Sequence, residues 1–321
     1  MHNFIAAFQQ SFTSILSIFF IGILGFYILR KGILGECCLK TLSDLVINIT
    51  VPCLIFNTIV ENLKPADLFK MWIFPVMALA MFLIALLIAW LYTLADKSIK
   101  ENSGVFKALI SIQNSLFLPL PIITLFFEGE QETLMLVALF LYSLINALLT
   151  YIFAPLLMAG REKEHISTFK LALNMPTLAT IFSIIFVFLR LKQFIPYFIQ
   201  YPIELVGNAT VPLIMISLGG FVLVYFRKKP KINYSFIIKT IVFKLFVVPS
   251  VFLALILVLR PEESVGFMLI IQASMPPATV LPLIARVYGG NHELLSQCLI
   301  YNLIVTVISF PLFISIFKAL L

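Results

Sequence analysis

The sequence predicts an all-α membrane protein of ten transmembrane helices, arranged as two inverted five-helix repeats in which helices 4 and 9 are broken. Three observations predict it: an apolar composition, a series of apolar runs of bilayer length, and an internal repeat whose copies lie five runs apart. Of the 321 residues, 61% are hydrophobic and 12% are charged, against ~25% charged in ordinary soluble domains. With a mean hydropathy of +1.09, most of this surface cannot be solvated by water.

Runs long enough to cross ~30 Å of hydrocarbon lie near 10–30, 43–60, 70–94, 105–127, 132–158, 169–190, 197–225, 235–259, 264–288 and 294–317. The N-terminus has no basic region ahead of a short apolar core and no small-residue cleavage site, so the first run is expected to be a retained helix. Pro202 and Pro261 fall at helix starts, where the missing amide costs nothing. Pro52, Pro119, Pro121, Pro212, Pro277 and Pro282 fall inside spans, and each must open a helical hydrogen bond.

The net charge of +7 does not point to a nucleic-acid partner, because the basic residues cluster between the apolar runs. Connections after odd-numbered spans carry Arg30, Lys31, Lys40, Lys97, Lys100, Lys107, Arg161, Lys163, Lys170, Arg227, Lys228, Lys229, Lys231, Lys239 and Arg286. The opposite side carries Lys64, Lys70, Arg190, Lys192, Arg260 and Lys318. Fifteen against six places both termini outside the cell membrane by the positive-inside rule. The cluster at 227–231 fits a solvated topogenic loop or a contact with anionic lipid of the bilayer. Cys37, Cys38, Cys53 and Cys298 form no zinc-type spacing, so neither a disulfide framework, a metal site nor a cofactor is expected.

Leu45-Val46-Ile47-Asn48-Ile49-Thr50-Val51-Pro52 recurs as Leu205-Val206-Gly207-Asn208-Ala209-Thr210-Val211-Pro212, an offset of 160 residues with six of eight positions identical. Hydrophobicity does not explain a shared Asn, Thr and Pro. Nearly the same offset pairs Ile112-Gln113 with Ile271-Gln272, Pro121 with Pro282, Gly129 with Gly290, and Tyr142 to Ile145 with Tyr301 to Ile304; it also sets Asp44 against Glu204. The repeats are therefore 1–160 and 161–321, and copies five spans apart must be inverted, the plan of secondary transporters.

Span 4 contains Asn114-Ser115-Leu116-Phe117-Leu118-Pro119-Leu120-Pro121, and span 9 contains Gln272 through Pro282 with Ser274, Pro276, Pro277 and Thr279. Both helices should break near mid-membrane, where opened backbone is tolerated only along a cavity and half-helix N-termini offer partial positive charge to an anion. The alternative is an ordinary proline kink in each, which the symmetric placement disfavours. Asn114 and Gln113, beside the break, are the best candidates for substrate contact, with Ser115, Pro121, Gln272 and Pro277 completing the region. Asn146 and Asn302 on spans 5 and 10 are weaker candidates. Asn48 and Asn208 can contact substrate or bond backbone opened by Pro52 and Pro212. Lys244, well inside span 8, can pair with an anionic substrate, occupy the place of a coupling cation, or extend its stem to the inner surface.

These motifs, in this order and spacing, resemble the auxin efflux carrier family, which includes plant exporters and bacterial malate- or malonate-type permeases, over essentially the full chain. The likeness rests on Asn48 to Pro52, Asn114 through Pro121, Asn174-Met175-Pro176, and Pro277 through Pro282 followed by Tyr288-Gly289-Gly290. It implies a scaffold from spans 1, 2, 6 and 7 (about 10–60 and 169–225) and a mobile transport domain from spans 3–5 and 8–10 (about 70–158 and 235–317). It further implies that helices 4 and 9 cross at Pro121 and Pro277, that Asn114 meets a substrate carboxylate, and that a homodimer moves small organic anions by an elevator-like mechanism. The chain departs from the family in having Pro119 where glycine is common and in lacking the long central loop of the plant exporters, which favours a compact bacterial type. Rival readings are a sodium-coupled symporter resembling bile-acid carriers, a membrane enzyme, and a non-transporting metabolite sensor. The midplane offers no Asp or Glu to hold a cation, and neither paired catalytic aspartates nor a His-Glu-x-x-His motif occurs.

Overall fold

The structure, a computed structural model, describes residues 2–65, 68–158, 173–227 and 232–320, and its regular elements are helices. The boundary expected at 160/161 and the basic residues Arg161, Lys163, Lys170, Lys228, Lys229 and Lys231 lie outside the described residues. In the first half, α1 runs His2–Arg30, α2 Glu36–Leu45, α3 Val51–Asn62, α4 Leu68–Met71, α5 Ile73–Ala95, α6 Ser103–Ser111, α7 Pro119–Phe126 and α8 Gly129–Met158. In the second, α9 runs Met175–Phe188, α10 Tyr197–Asn208, α11 Thr210–Arg227, α12 Tyr234–Val242, α13 Val248–Leu259, α14 Glu263–Ala273, α15 Leu281–Tyr288 and α16 His292–Leu320.

Among the described residues, seven helical stretches are long and apolar enough to cross a membrane: Ser11–Arg30, Glu36–Asn62, Ile73–Ala95, Gly129–Met158, Tyr197–Arg227, Tyr234–Leu259 and His292–Leu320. The other three expected spans fall short of that length for a local reason. Runs 105–127 and 264–288 are each cut in two, into α6 and α7 and into α14 and α15, while α9 is a 14-residue helix. Asn174 starts α9 by accepting from Thr177 N at 3.0 Å, with Pro176 in the first turn, where a missing amide is harmless.

Two long helices absorb an internal proline by widening one turn. Residues Val46–Thr50 form a π-turn in which Val51 N donates to Val46 O, and Pro52 follows. Residues Phe243–Val247 form another, in which Val248 N donates to Phe243 O, and Pro249 follows. A proline ring collides with the carbonyl four residues back, and the wider turn moves that carbonyl aside.

The helices pack in two neighbourhoods that meet where α1 also lies along α16. The α1 helix lies along α11, and α3 lies against α9 and α10. The α5 helix packs on α8 and α6, α12 on α16, and α15 on both α8 and α16. Where α1 meets α11 the backbones nearly touch: a Cβ built on Gly219 would stand 1.7 Å from Gly22 O, and one on Gly25 would stand 2.1 Å from Ile216 O. Without water to drive association, membrane helices gain from such close approach between small residues.

Among the described residues, three ion pairs tie the first half to the second. Lys192 meets Glu61 at 2.7 Å, Arg227 meets Glu36 at 2.7 Å, and Lys239 meets Asp96 at 2.6 Å. At the last, Asp96 also accepts from Tyr92 Oη at 2.8 Å and from Ser98 N at 2.9 Å. Hydrogen bonds from Lys239 first, then Ser98 and Tyr92, hold the Asp96 carboxyl well below the usual carboxylate range. A carboxylate depressed by folding contributes stability above its unfolded pKa of ~3.9 and loses it as pH falls below that value. Wild-type protein and Asp96→Asn, melted between pH 7 and pH 3, should differ most at neutral pH and begin to draw together below pH ~3.9. Curves that stay parallel would remove Asp96 from the acid limb.

Candidate functional site

The site is built where α6 and α14 stop. Residues 112–118 separate α6 from α7, and residues 274–280 separate α14 from α15. The two non-helical segments lie side by side and exchange backbone bonds: Asn114 N donates to Pro276 O at 2.9 Å, and Ala278 N donates to Ile112 O at 3.0 Å. Gln113 and Pro277 thus face each other as an isolated antiparallel bridge. Pro277 has no N–H, and in this register none is needed, since its neighbours make the bonds.

Side chains of α8 and α14 finish the cluster. Ser115 O accepts from Ser143 Oγ at 3.0 Å and from Gln272 Nε2 at 3.1 Å. Asn146 Nδ2 donates to Ser115 Oγ at 2.8 Å and to Gln113 O at 3.4 Å. Gln113 Nε2 donates to the Tyr142 hydroxyl, and Tyr142 in turn reaches Met81 Sδ at 3.1 Å. Asn114 Oδ1 accepts from Phe117 N at 3.1 Å and Leu118 N at 3.4 Å, so it caps the entry into α7. Its Nδ2 has no hydrogen-bond partner among the described residues.

Some polar capacity is left over. Among the described residues, Gln113 Oε1, Gln272 Oε1 and Ser274 Oγ are buried without a partner. A buried polar atom left alone costs ~1–3 kcal/mol, so three of them around the paired breaks mark a place suited to a ligand. At the start of α15, Thr279 is exposed and no turn or loop bond engages its N–H or that of Val280. The start of α7 is different: Pro119 and Pro121 have no N–H, Leu120 N is bonded to Leu116 O, and Asn114 takes the two amides before it. Of the two half-helix N-termini expected to face an anion, that of α15 has the amides just before its first residue open.

The structure brings Gln113, Asn114, Ser115, Asn146, Gln272 and Pro277 together, with Pro121 in the first turn of α7. Asn302 sits apart on α16, bonding Cys298 O at 2.7 Å and Thr240 Oγ1 at 3.4 Å. Asn48 and Asn208 are exposed, and Asn48 bonds Asp44 O at 2.8 Å, one turn back on its own helix. Neither has a hydrogen bond to the break. Lys244 is buried, 1% exposed, and its Nζ donates to Ile110 O at 3.0 Å instead of reaching a surface. Tyr142, Ser143 and Thr279 join the site although the sequence did not mark them as candidates for substrate contact. Tyr142 and Ser143 carried a signal in the repeated Tyr-x-Leu-Ile pattern.

A polar cluster at paired helix breaks inside a multi-pass membrane protein is the construction of a membrane transporter. The chain belongs to the membrane transport protein family, that of the auxin efflux carriers, whose model matches residues 10–314. It is similar to an uncharacterized transporter of Methanocaldococcus jannaschii, 27% identical over 289 residues that make up 88% of this chain and 91% of the relative. It is also similar to an uncharacterized transporter of Methanothermobacter thermautotrophicus, 28% identical over 313 residues, 95% of this chain and 98% of the relative. The protein is thus a transporter and not an enzyme.

Proposed function

We propose that the protein is a secondary carrier of small organic anions with ten spans, the two broken helices and α9 each counting as one. The observation that carries this reading is the pair of break segments bonded to each other through Ile112, Asn114, Pro276 and Ala278, with polar groups around them. In this reading the carboxylate sits at the start of α15, where the N–H groups of Thr279 and Val280 and the partial positive charge of the helix end are turned toward it. Ser274 Oγ and Asn114 Nδ2 supply directional donors. An amide suits a midplane site because it binds an anion without burying a permanent charge.

The contacts of α1 with α11 and of α3 with α9 and α10 support a scaffold, and those among α5–α8 and α12–α16 support a unit that moves as in an elevator, with α1 against α16 as the seam between them. The same unit contains both breaks, so the bound anion would travel with its site intact. The inverted repeat, a homodimer and termini facing outside the cell membrane belong to this reading. A sodium-coupled symporter is the second reading, favoured by the two unpartnered amide oxygens of Gln113 and Gln272, which are acceptors that a cation would satisfy.

The deciding experiment melts the purified protein with malate, malonate, succinate and indole-3-acetate, because a ligand bound by the folded state alone raises the midpoint. The stabilising acid is then followed into proteoliposomes in which Glu130→Cys reports orientation by labelling from outside. Stabilisation with flux is the expected result. Stabilisation without flux would leave a metabolite sensor, and no response to any carboxylate would sink the anion reading.

A further inference from the structure

Ile110 lies one residue before the end of α6, and its carbonyl would ordinarily accept from the amide of residue 114. That amide is diverted: Asn114 N donates to Pro276 O across the two breaks. The carbonyl so released points its lone pairs at Lys244 Nζ, 3.0 Å away. Break and lysine are thus parts of one arrangement, since the bond joining the halves frees the oxygen that the ammonium takes. The other broken helix does without such help. Ser274 N closes back on Ile270 O at 3.1 Å and Ile271 O at 3.2 Å, so α14 satisfies its own end.

Lys244 reaches this point because of its backbone. It lies in the π-turn Phe243–Val247, where the extra residue rotates the side chain off the regular helical face and into the protein. Both Lys244 and the following Leu245 are buried. No carboxylate lies within ion-pair distance of Lys244 among the described residues. A buried ammonium without a counter-charge is costly, and its position at the negative end of a half-helix is the compensation the fold provides. In carriers with broken helices, such carbonyl ends are where a coupling Na⁺ is coordinated.

We propose that Lys244 is a resident cation of the transport site, its ammonium standing at the carbonyl end of α6 where a metal ion would otherwise be coordinated. The anion then enters a site whose cation is built into the chain, and the carrier has no use for sodium there. The purpose, though not the test, rests on the anion-carrier reading above. If the side chain is a substitute for a cation, removing it exposes a place that a free cation can fill.

Purified full-length protein, Lys244→Ser and Lys244→Met are melted in matched sodium chloride and choline chloride. The wild-type midpoint is expected to be equal in both salts. Lys244→Ser should melt several degrees earlier in choline and recover saturably as sodium is added. Lys244→Met, whose thioether refills the space, should melt early and ignore sodium. A Lys244→Ser protein indifferent to sodium, lithium and potassium alike would reduce Lys244 to a helix cap. A wild-type protein stabilised by sodium over choline would show that the cation comes from solution, and would overturn the proposal in favour of the symporter. If Lys244→Ser does not fold, Lys244→Gln carries the same titration with the same two outcomes. No organic anion enters the experiment, so its failure is separate from failure of the carrier reading.

Discussion

Asn114→Ala should lower both the melting midpoint and the affinity for the carried anion, and Asn114→Asp should separate the two effects. The side chain has two ends with different work. Its Oδ1 caps the approach to α7 through Phe117 N and Leu118 N, and loss of a cap costs ~0.5–2 kcal/mol. Its Nδ2, in the reading above, donates to the carboxylate, and a hydrogen bond to a charged group is worth ~1.5–3 kcal/mol, roughly a ten- to hundredfold change in affinity. The side chain is only 4% exposed, so Ala also leaves a small void. Asp keeps the acceptor and so the cap, but has lost the amide donor. Asn114→Asp is therefore expected to keep the cap bonds but bind the stabilising acid weakly, with a cost in melting that comes from burying a carboxyl and not from loss of the cap. Wild-type binding in that variant would make Asn114 a cap alone.

Gly219→Val should be the most destabilising single change in the helix pair α1 and α11. Even a Cβ at 219 would lie 1.7 Å from Gly22 O and 2.6 Å from Gly22 C, so the backbones must part before any side chain fits. Overpacking of this kind costs ~1–3 kcal/mol and occasionally more, and here it also forfeits contacts along the whole pair. Gly25→Val should follow it, with Ile216 O at 2.1 Å. Gly22→Ala is the control, because its Cβ would meet Met215 O at an ordinary 3.8 Å. Thermal melting and gel filtration of the three proteins test the order. Equal midpoints for Gly219→Val and Gly22→Ala would mean that the two helices separate freely.

Much of the helical plan was legible because prolines and caps act locally. Pro119, Pro121 and Pro277 marked the breaks in α6–α7 and α14–α15, and Asn174-Met175-Pro176 marked the start of α9. Partnership was harder to read. Nothing in the order of residues says that the oxygen of Asn114 turns back to cap its own chain, or that Tyr142 lies against Gln113, since both depend on how α8 packs across the break. For the repeated asparagines Asn48 and Asn208 the sequence left two roles open, and Asn48 bonds Asp44 O on its own helix. Their likeness came from the symmetry of the repeat, and the structure sets both on an exposed face. Lys244 could be flagged as an intramembrane charge, but its direction depends on a π-turn that composition does not announce.

The bond between the two breaks also constrains how the protein can be made. Asn114 leaves the ribosome half a chain before Pro276, an interval on the order of ten seconds at ordinary rates of synthesis. Through that interval the Ile112 carbonyl and the Asn114 amide lack their final partners, and any interim bond, such as Asn114 N to Ile110 O in an unbroken helix, must later be exchanged. The early helices therefore cannot settle as a finished half. The break takes its final form only when residues 276–278 arrive to pair with it.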